Sequence, residues 1–290
     1  MVKDKMLWQP TAADIQQSEI ATFAAHVAAQ TGFDWGSDFQ SLWRWSTSSM
    51  EAFWTCVWQW HGIIGDMGHR PLVDADKMPG ASFFPDARLN FAENLLAKPN
   101  HRLAISAYGE DGRITRLTRA ELHEQVMALA GWMQAAGVSS GDRVAAYTPN
   151  VAEAVITMLA AATLGAVYSS CSPDFGVTGA LDRFGQIEPK LLMACDGYHY
   201  GGKPVDRLAL VADLAAALPS VEAVLILPYL DPAPDYSAIP NAITIADAIN
   251  PATPVHDYVR VGFNDPLYIL YSSGTTGAPK CIAHGVGGTL

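Results

Sequence analysis

The chain has 290 residues, half of them apolar and 16% charged, with 18 Lys and Arg against 29 Asp and Glu for a net charge of −11. That composition belongs to a folded globular protein and excludes a disordered chain. The acidity also excludes general nucleic-acid binding, which needs cations against phosphate, while leaving room for an anion site built from backbone N–H groups and one or two placed cations. The four cysteines, Cys56, Cys171, Cys195 and Cys281, contain no C-x-x-C pair, so neither a zinc site nor a disulfide framework is expected. Residues 1–10 lack an apolar signal-type run, and the most apolar stretch, Val151 to Tyr168, is broken by Glu153. No membrane span is expected, and a reduced cytoplasmic compartment is.

The first part of the chain is helical and rich in Trp. Thr11 opens a helix expected to run to Gly32, with Ile15, Ile20, Phe23 and Val27 as apolar positions. Ser48 and Glu51 have the spacing of a capping box, followed by Phe53, Val57, Trp60 and Ile64 at helical spacing. Five of the eight tryptophans lie between Trp43 and Trp60 and recur at helical spacing, with Arg44 the one Lys or Arg among them, which favours core packing over an aromatic binding surface. Pro71, Pro79, Gly80 and Pro85 mark a loop-like stretch.

The pattern then changes. Leu103–Ala107 and Ile114–Leu117 flank a Gly-Glu-Asp-Gly turn and predict a hairpin. Thr118 and Glu121 form a second capping box, for a helix that Gly137 ends. Strands and helices alternate from there: strand 144–147, helix 151–164, strand 166–169, helix 177–187, strand 191–194, helix 205–218, strand 224–227. Short apolar strands between helices predict a mainly parallel sheet covered on both faces. Seven of the 18 prolines fall between Pro228 and Pro266, an irregular connection with a short helix at 245–249. The fold class expected is α/β: a helical region over 1–98, then a mainly parallel sheet flanked by helices over 99–290.

A final strand, 267–271, runs into Tyr271-Ser272-Ser273-Gly274-Thr275-Thr276-Gly277-Ala278-Pro279-Lys280. Glycine permits close backbone approach, successive N–H and hydroxyl groups donate to phosphate oxygens, and Lys280 adds a cation. It is not a P-loop: the glycines are three apart, and Cys281 follows the lysine where Ser or Thr is required. Of the remaining groups, His284 reads as a half-buried structural histidine in preference to an acyl-pocket residue. Cys171 and Cys281 read as buried, unreactive thiols. His26, His61, His69 and His101 have no metal-ligand spacing, and no metal-ligating residues are assigned.

The Ser/Thr/Gly segment resembles the phosphate-binding signature of the adenylate-forming enzymes, a superfamily of acyl-CoA synthetases, luciferases and peptide-synthetase adenylation domains. Leu42-Trp43-Arg44-Trp45-Ser46 with Phe53-Trp54 resembles the N-terminal region of their acetyl-CoA synthetase branch. Ala87-Arg88-Leu89-Asn90-Phe91-Ala92-Glu93-Asn94-Leu95-Leu96 and Lys280-Cys281-Ile282-Ala283-His284-Gly285 resemble the acetoacetyl-CoA synthetase members of that branch. The resemblance implies an AMP-forming acetoacetate–CoA ligase working through an acyl-adenylate. Acetyl- or propionyl-CoA synthesis is the alternative. Its substrates would be ATP, CoA and acetoacetate or another short acyl carboxylate. Ser272, Ser273, Gly274, Thr275, Thr276, Gly277 and Lys280 would hold the ATP phosphates, with Thr275, Thr276 and Lys280 in catalytic roles. Tyr168, Ser169 and Ser170 together with Gly201, Gly202 and Lys203 would contact CoA. Relatives carry basic residues at both ends of that second segment, whereas Tyr200 stands at one end here.

The family's adenine-binding segment, the Glu that binds Mg²⁺, the ribose-binding Asp and the C-terminal domain with its catalytic Lys are not found in these 290 residues. The expectation is therefore an incomplete N-terminal portion, from a truncated, split or degraded gene. It would be inactive alone, and its unpaired sheet edge would favour self-association or capture of the missing part.

Overall fold

The computed structural model describes residues 6–250, 252–272, 277 and 279–290. It divides into two compact units, Met1–Asp86 and Ala87–Leu290. The first holds α1 (Ala12–Gln16), α2 (Glu19–Thr31), α3 (Phe39–Ser48) and α4 (Met50–His61), then the two-residue strands β1 (Gly65–Asp66), β2 (Leu72–Val73) and β3 (Ser82–Phe83). The helix expected from Thr11 to Gly32 is two helices. Thr11 and Asp14 close a capping box on α1, and Ser18 accepts from the Ala21 N–H to start α2.

The Ser48–Glu51 box does not form. Ser48 is the last residue of α3, its hydroxyl donating to the Trp45 carbonyl at 3.3 Å, and α4 begins without a side-chain cap. Trp45, Trp58 and Trp60 pack as expected, half-buried, whereas Trp43 and Trp54 are 52% and 38% exposed. Phe33 stacks on Trp45 at 5.0 Å, Phe53 meets Trp45 edge-on, Trp60 touches Phe23 and His26, and Trp58 lies against Phe84.

The second unit opens with β4 (Arg88–Leu89) and α5 (Phe91–Leu96). Buried Asn90 ties this segment down. Its Oδ1 accepts from the Glu93 N–H to cap α5, while Nδ2 donates to the carbonyls of Ala162 and Val259, each at 2.7 Å. The antiparallel hairpin β5 (Leu103–Tyr108) and β6 (Ile114–Thr118) follows, then α6 (Arg119–Ala135), whose Thr118–Glu121 capping box is complete. At its other end Gly137 takes φ +89°, and the Val138 and Gly137 N–H groups bond the carbonyls of Met133 and Gln134, a Schellman ending.

The main sheet comprises β7 (Arg143–Tyr147), β8 (Val167–Cys171) and β9 (Leu191–Cys195), joined by α7 (Ala152–Thr163) and α8 (Val177–Ile187). Next come the small hairpin β10 (Gly197–Tyr200) and β11 (Lys203–Asp206), α9 (Leu208–Ala217), β12 (Ala223–Leu227), β13 (Ala242–Thr244), α10 (Ile245–Ile249), β14 (Val261–Gly262), β15 (Pro266–Ser272), β16 (Lys280–Gly285) and α11 (Val286–Thr289). Seven strands order as β13-β12-β9-β7-β8-β15-β16, all parallel pairs except β15–β16.

Helices α6, α7 and α10 pack together, as do α8 and α9. The core between the sheet and the α8–α9 pair is Phe184, Ile187, Val211 and Leu214 against Ala145, Tyr147, Leu192, Ala194 and Ile226. Alternation along each strand sends every second residue to this side. The helix expected over 205–218 is shorter at its start, because residues 203–206 pair as β11 with β10.

Candidate functional site

The order of the sheet reverses beside β7: one crossover leads from β7 to β8, and the next returns past β7 to β9. Ligand crevices in such sheets open at the carboxyl ends of the strands where the winding direction changes. Here that position holds a cleft of about 490 Å³, walled by the β5–β6 turn, the loops after β7 and β8, the β10–β11 hairpin and Tyr229.

The side chains aimed into it include five tyrosines: Tyr108, Tyr168, Tyr198, Tyr200 and Tyr229. Tyr168 and Ser170 both line the cleft, whereas Ser169 between them does not. The pleat of β8 explains the split: residues two apart share a face. Ser169 turns to β15, donating to the Ile269 carbonyl at 2.8 Å. Its one proton is thereby committed, so the bond of 2.9 Å between the two hydroxyls has Tyr271 donating to Ser169. Burial pushes both Tyr168 and Tyr271 up to about 12, against the effect of their hydroxyl partners Ser170 and Ser169, so both phenols are neutral donors at pH 7.

A polar cluster shapes the floor. The Tyr198 hydroxyl is hydrogen-bonded to Asp174, whose other oxygen accepts from Ser172 Oγ at 2.9 Å. Those two bonds hold the Asp174 carboxyl below its ordinary value. Arg207 donates to the Pro173 carbonyl at 2.8 Å and to the Tyr198 hydroxyl at 3.3 Å, and Tyr147, raised by burial, donates to the Pro173 carbonyl at 2.8 Å. Asp196, 4% exposed, accepts the N–H groups of Tyr229, Leu230 and Asp231 and thereby sets Tyr229 in the wall. Asp174, Asp196, Arg207 and Glu110 escaped the sequence reading. The available signal was local for one of them: Asp196-Gly197 directly after an apolar strand marks a turn at the strand's carboxyl end.

Gly201 and Gly202 form the tip of the β10–β11 hairpin with φ of +56° and +75°, the paired left-handed values of a two-residue type I′ turn. Lys203 pairs with Tyr200 across it and is exposed. The sheet thus gathers Tyr168, Ser170 and Tyr200 at one cleft, with Gly201, Gly202 and Lys203 at its rim.

Of the Ser/Thr/Gly segment, Ser272 ends β15 and Lys280 begins β16, the two facing each other in the ladder. Ser273, Gly274, Thr275 and Thr276 lie outside the described residues. Gly277 takes φ +124°, open only to glycine without strain. Helix α8 supports this end of the sheet. The Gln186 amide donates to the Pro279 carbonyl at 2.9 Å and its oxygen faces the Cys281 thiol at 3.6 Å, while the Arg183 guanidinium stands 5.8 Å from the Tyr271 ring centre. His284 packs on Tyr268 across the ladder, half-buried, as a structural histidine. Cys281 corrects an expectation: it is exposed, because it lies on the outer strand of the sheet, whereas Cys171 is buried and pushed up to about 12 by that burial.

Residues 91–290 match the family model described as AMP-binding enzyme. The chain belongs to this family. Within it, the chain is 45% identical over 295 residues to "Acetoacetyl-coenzyme A synthetase" of Rhizobium meliloti (strain 1021), covering 100% of this chain and 44% of that protein. It is 35% identical to "Malonamoyl-CoA synthetase vrtB" of Penicillium aethiopicum, over 99% of this chain and 41% of that one. The solved structure "Acetoacetyl-CoA Synthetase from Streptomyces lividans" superposes with a TM-score of 0.87 at 39% identity, covering 98% of this chain and 44% of that chain. This AMP-binding family chain therefore spans less than half the length of the relatives it matches, and its α/β fold is that of the Streptomyces lividans structure.

Proposed function

We propose that the protein to which this chain contributes is an AMP-forming acetoacetate–CoA ligase. The observation that carries the reading is the end-to-end match, at 45% identity, to the Rhizobium meliloti acetoacetyl-coenzyme A synthetase. In the first step a carboxylate attacks the α-phosphorus of ATP, giving an acyl-adenylate and pyrophosphate. In the second the CoA thiol attacks the acyl carbon and AMP leaves. Attack of one anion on another is limited by charge and positioning, so placed donors and cations dominate the barrier.

In this reading Ser272, Ser273, Gly274, Thr275, Thr276, Gly277 and Lys280 hold the ATP phosphates, with Thr275, Thr276 and Lys280 stabilising charge on the departing pyrophosphate. The exposed position of Lys280, opposite Ser272 at the ends of β15 and β16, supports its reaching a ligand beyond the sheet. The cleft takes CoA: Tyr168 and Ser170 offer neutral hydroxyls, and Gly201, Gly202 and Lys203 form the rim. Ser169 serves instead as a brace between β8 and β15. Mg²⁺ accompanies ATP in this reading; among the described residues no three His, Cys, Asp or Glu side chains come together as a metal site. A cytoplasmic location accords with the four unpaired cysteines. No helix among the described residues is long and apolar enough to cross a membrane.

The test is a chimaera in which these 290 residues replace the matching segment of the Rhizobium meliloti protein. Acetoacetate-dependent exchange of labelled pyrophosphate into ATP is expected from the chimaera and not from the chain alone. Exchange supported only by acetate, propionate or malonamate removes the acetoacetate assignment.

A second reading rests on β16, which pairs on one side only among the described residues and carries Ile282 at 45% exposure, with Leu270 at 46% on β15. Such an edge is a template for another strand. Here the chain acts as a non-catalytic module that associates with itself or with the remaining part of the enzyme. Light scattering that shows only monomer across a range of concentrations counts against it.

A further inference from the structure

The cleft is poor in positive charge for a site that takes a phosphorylated nucleotide. Among the described residues that line it none is Lys or Arg, His199 is the one imidazole, and Glu110 and Asp174 bring carboxylates. Two arginines touch lining residues, and both are engaged. Arg207 donates from Nε to Pro173, from Nη1 to the Asp206 carbonyl at 3.3 Å and from Nη2 to Tyr198. Arg113 donates to the Tyr229 carbonyl at 3.0 Å, lies 3.3 Å from Asp111 and stands 4.7 Å from the Tyr229 ring centre.

The glycine turn that rims the cleft is engaged as well. Its Gly202 N–H, the kind of backbone donor that receives phosphate oxygens, points to Glu110 Oε2 at 3.5 Å. A phosphate arriving at the turn meets a resident carboxylate. Lys203 is the cation left on the hairpin; it is exposed, and exposed pairs of this kind change affinity by no more than a few-fold. What the cleft offers in abundance is aromatic surface and neutral hydroxyls: the five tyrosines, Thr148 and Ser170. A base stacks on such rings whatever charge the sugar carries.

Resting on the reading that CoA binds in this cleft, we propose that the site recognises the nucleoside end of its thiol substrate by stacking and hydroxyl contacts and discriminates little for the ribose 3′-phosphate. Glu110 and Tyr200 are the specificity-determining residues. Glu110 opposes the phosphate by like charge and by occupying the turn amide. Tyr200 presents an uncharged ring at the same rim, across the turn from Lys203.

The experiment compares CoA with 3′-dephospho-CoA by isothermal titration of the 290-residue chain, at fixed physiological ionic strength so that screening is constant. Dissociation constants within about five-fold of each other are expected, the residual preference being that of one exposed lysine. Glu110→Gln and Tyr200→Arg, both at exposed positions, are each expected to tighten CoA by roughly three- to ten-fold while leaving 3′-dephospho-CoA within two-fold, the range of one added or unmasked charge contact. CoA bound more than ten-fold tighter by the unaltered chain overturns the inference and leaves the ligase reading standing. Equal binding that neither substitution shifts removes Glu110 and Tyr200 as determinants and overturns it too. Binding of neither compound removes CoA from this cleft, and the inference falls with that assignment.

Discussion

Asp174 is exposed, yet its carboxyl lies below the ordinary range because it is hydrogen-bonded to the Tyr198 and Ser172 hydroxyls, with Arg207 adding charge. A depressed folded-state value means that the native state holds the ionised form more tightly than the unfolded chain does. The contribution to stability is complete above the unfolded value, near ~4, and is lost as pH falls through the folded one. Asp174→Asn is therefore expected to be less stable than the parent at pH 7, with the gap closing below about pH 4. Urea denaturation at a series of pH values reads this, and a gap constant down to pH 2.5 sinks the assignment. Lys280 raises the question of function at the same scale. It has no ion-pair partner among those found in the described residues, so Lys280→Gln is expected to leave the unfolding midpoint unchanged. In the chimaera the same change should lower pyrophosphate exchange by about 10²-fold, the usual scale for losing a placed donor to developing charge. Unaltered exchange would remove Lys280 from the chemistry.

Helix α6 shows how an element is decided by what touches it. By propensity alone, alanine at a mid-helix glycine improves stability by about 1 kcal/mol. At Gly131 a Cβ would lie 2.0 Å from the Thr253 carbonyl oxygen, a backbone atom of the connection that crosses the helix there. Gly131→Ala is expected to destabilise by about 2 kcal/mol or more, the cost of overpacking against backbone that cannot swing away. A thermal midpoint at or above the parent's would refute this. The capping boxes carry the same lesson. Thr118-x-x-Glu121 and Ser48-x-x-Glu51 are alike as strings, and the first closes as expected. The second fails because α3 already claims Ser48 as its last residue, so its hydroxyl bonds back into that helix. Thr11 misled in the opposite sense, since a second cap at Ser18 divides one expected helix into two.

For the whole molecule, thiol exposure follows from layer position. Cys171 and Cys195 end central strands and burial pushes both up to about 12; burial also raises Cys56 and Cys281, but of the four only Cys281, on the outer strand, is exposed. Titration of the native protein with a chromogenic disulfide reagent at pH 8 is expected to consume one thiol quickly, assigned to Cys281 by its loss in Cys281→Ser, and four after unfolding. Two or more fast thiols in the native state would contradict this packing.

The sequence by itself determined the class of the fold, because hydrophobic period and turn residues are local properties. The strands β7, β8, β9 and β12 with the helices between them, the whole of α8 at 177–187 and the helix at 245–249 could all be read this way, whereas the β10–β11 hairpin could not. The Ser/Thr/Gly segment and its lysine could be proposed as a phosphate site for the same reason, since such loops draw their donors from consecutive residues. Tertiary structure alone decided the cleft. Its walls come from Glu110, Ser170, Asp174, Tyr200 and Tyr229, which are remote in the chain and converge only because the sheet reverses its winding at β7. It also split Tyr168-Ser169-Ser170 between two faces of β8, turned the Gly-Gly pair into a hairpin tip, and set Asp196 beneath Tyr229. Each of these depends on contacts between residues far apart in sequence, and such contacts leave no period or spacing to read along the chain.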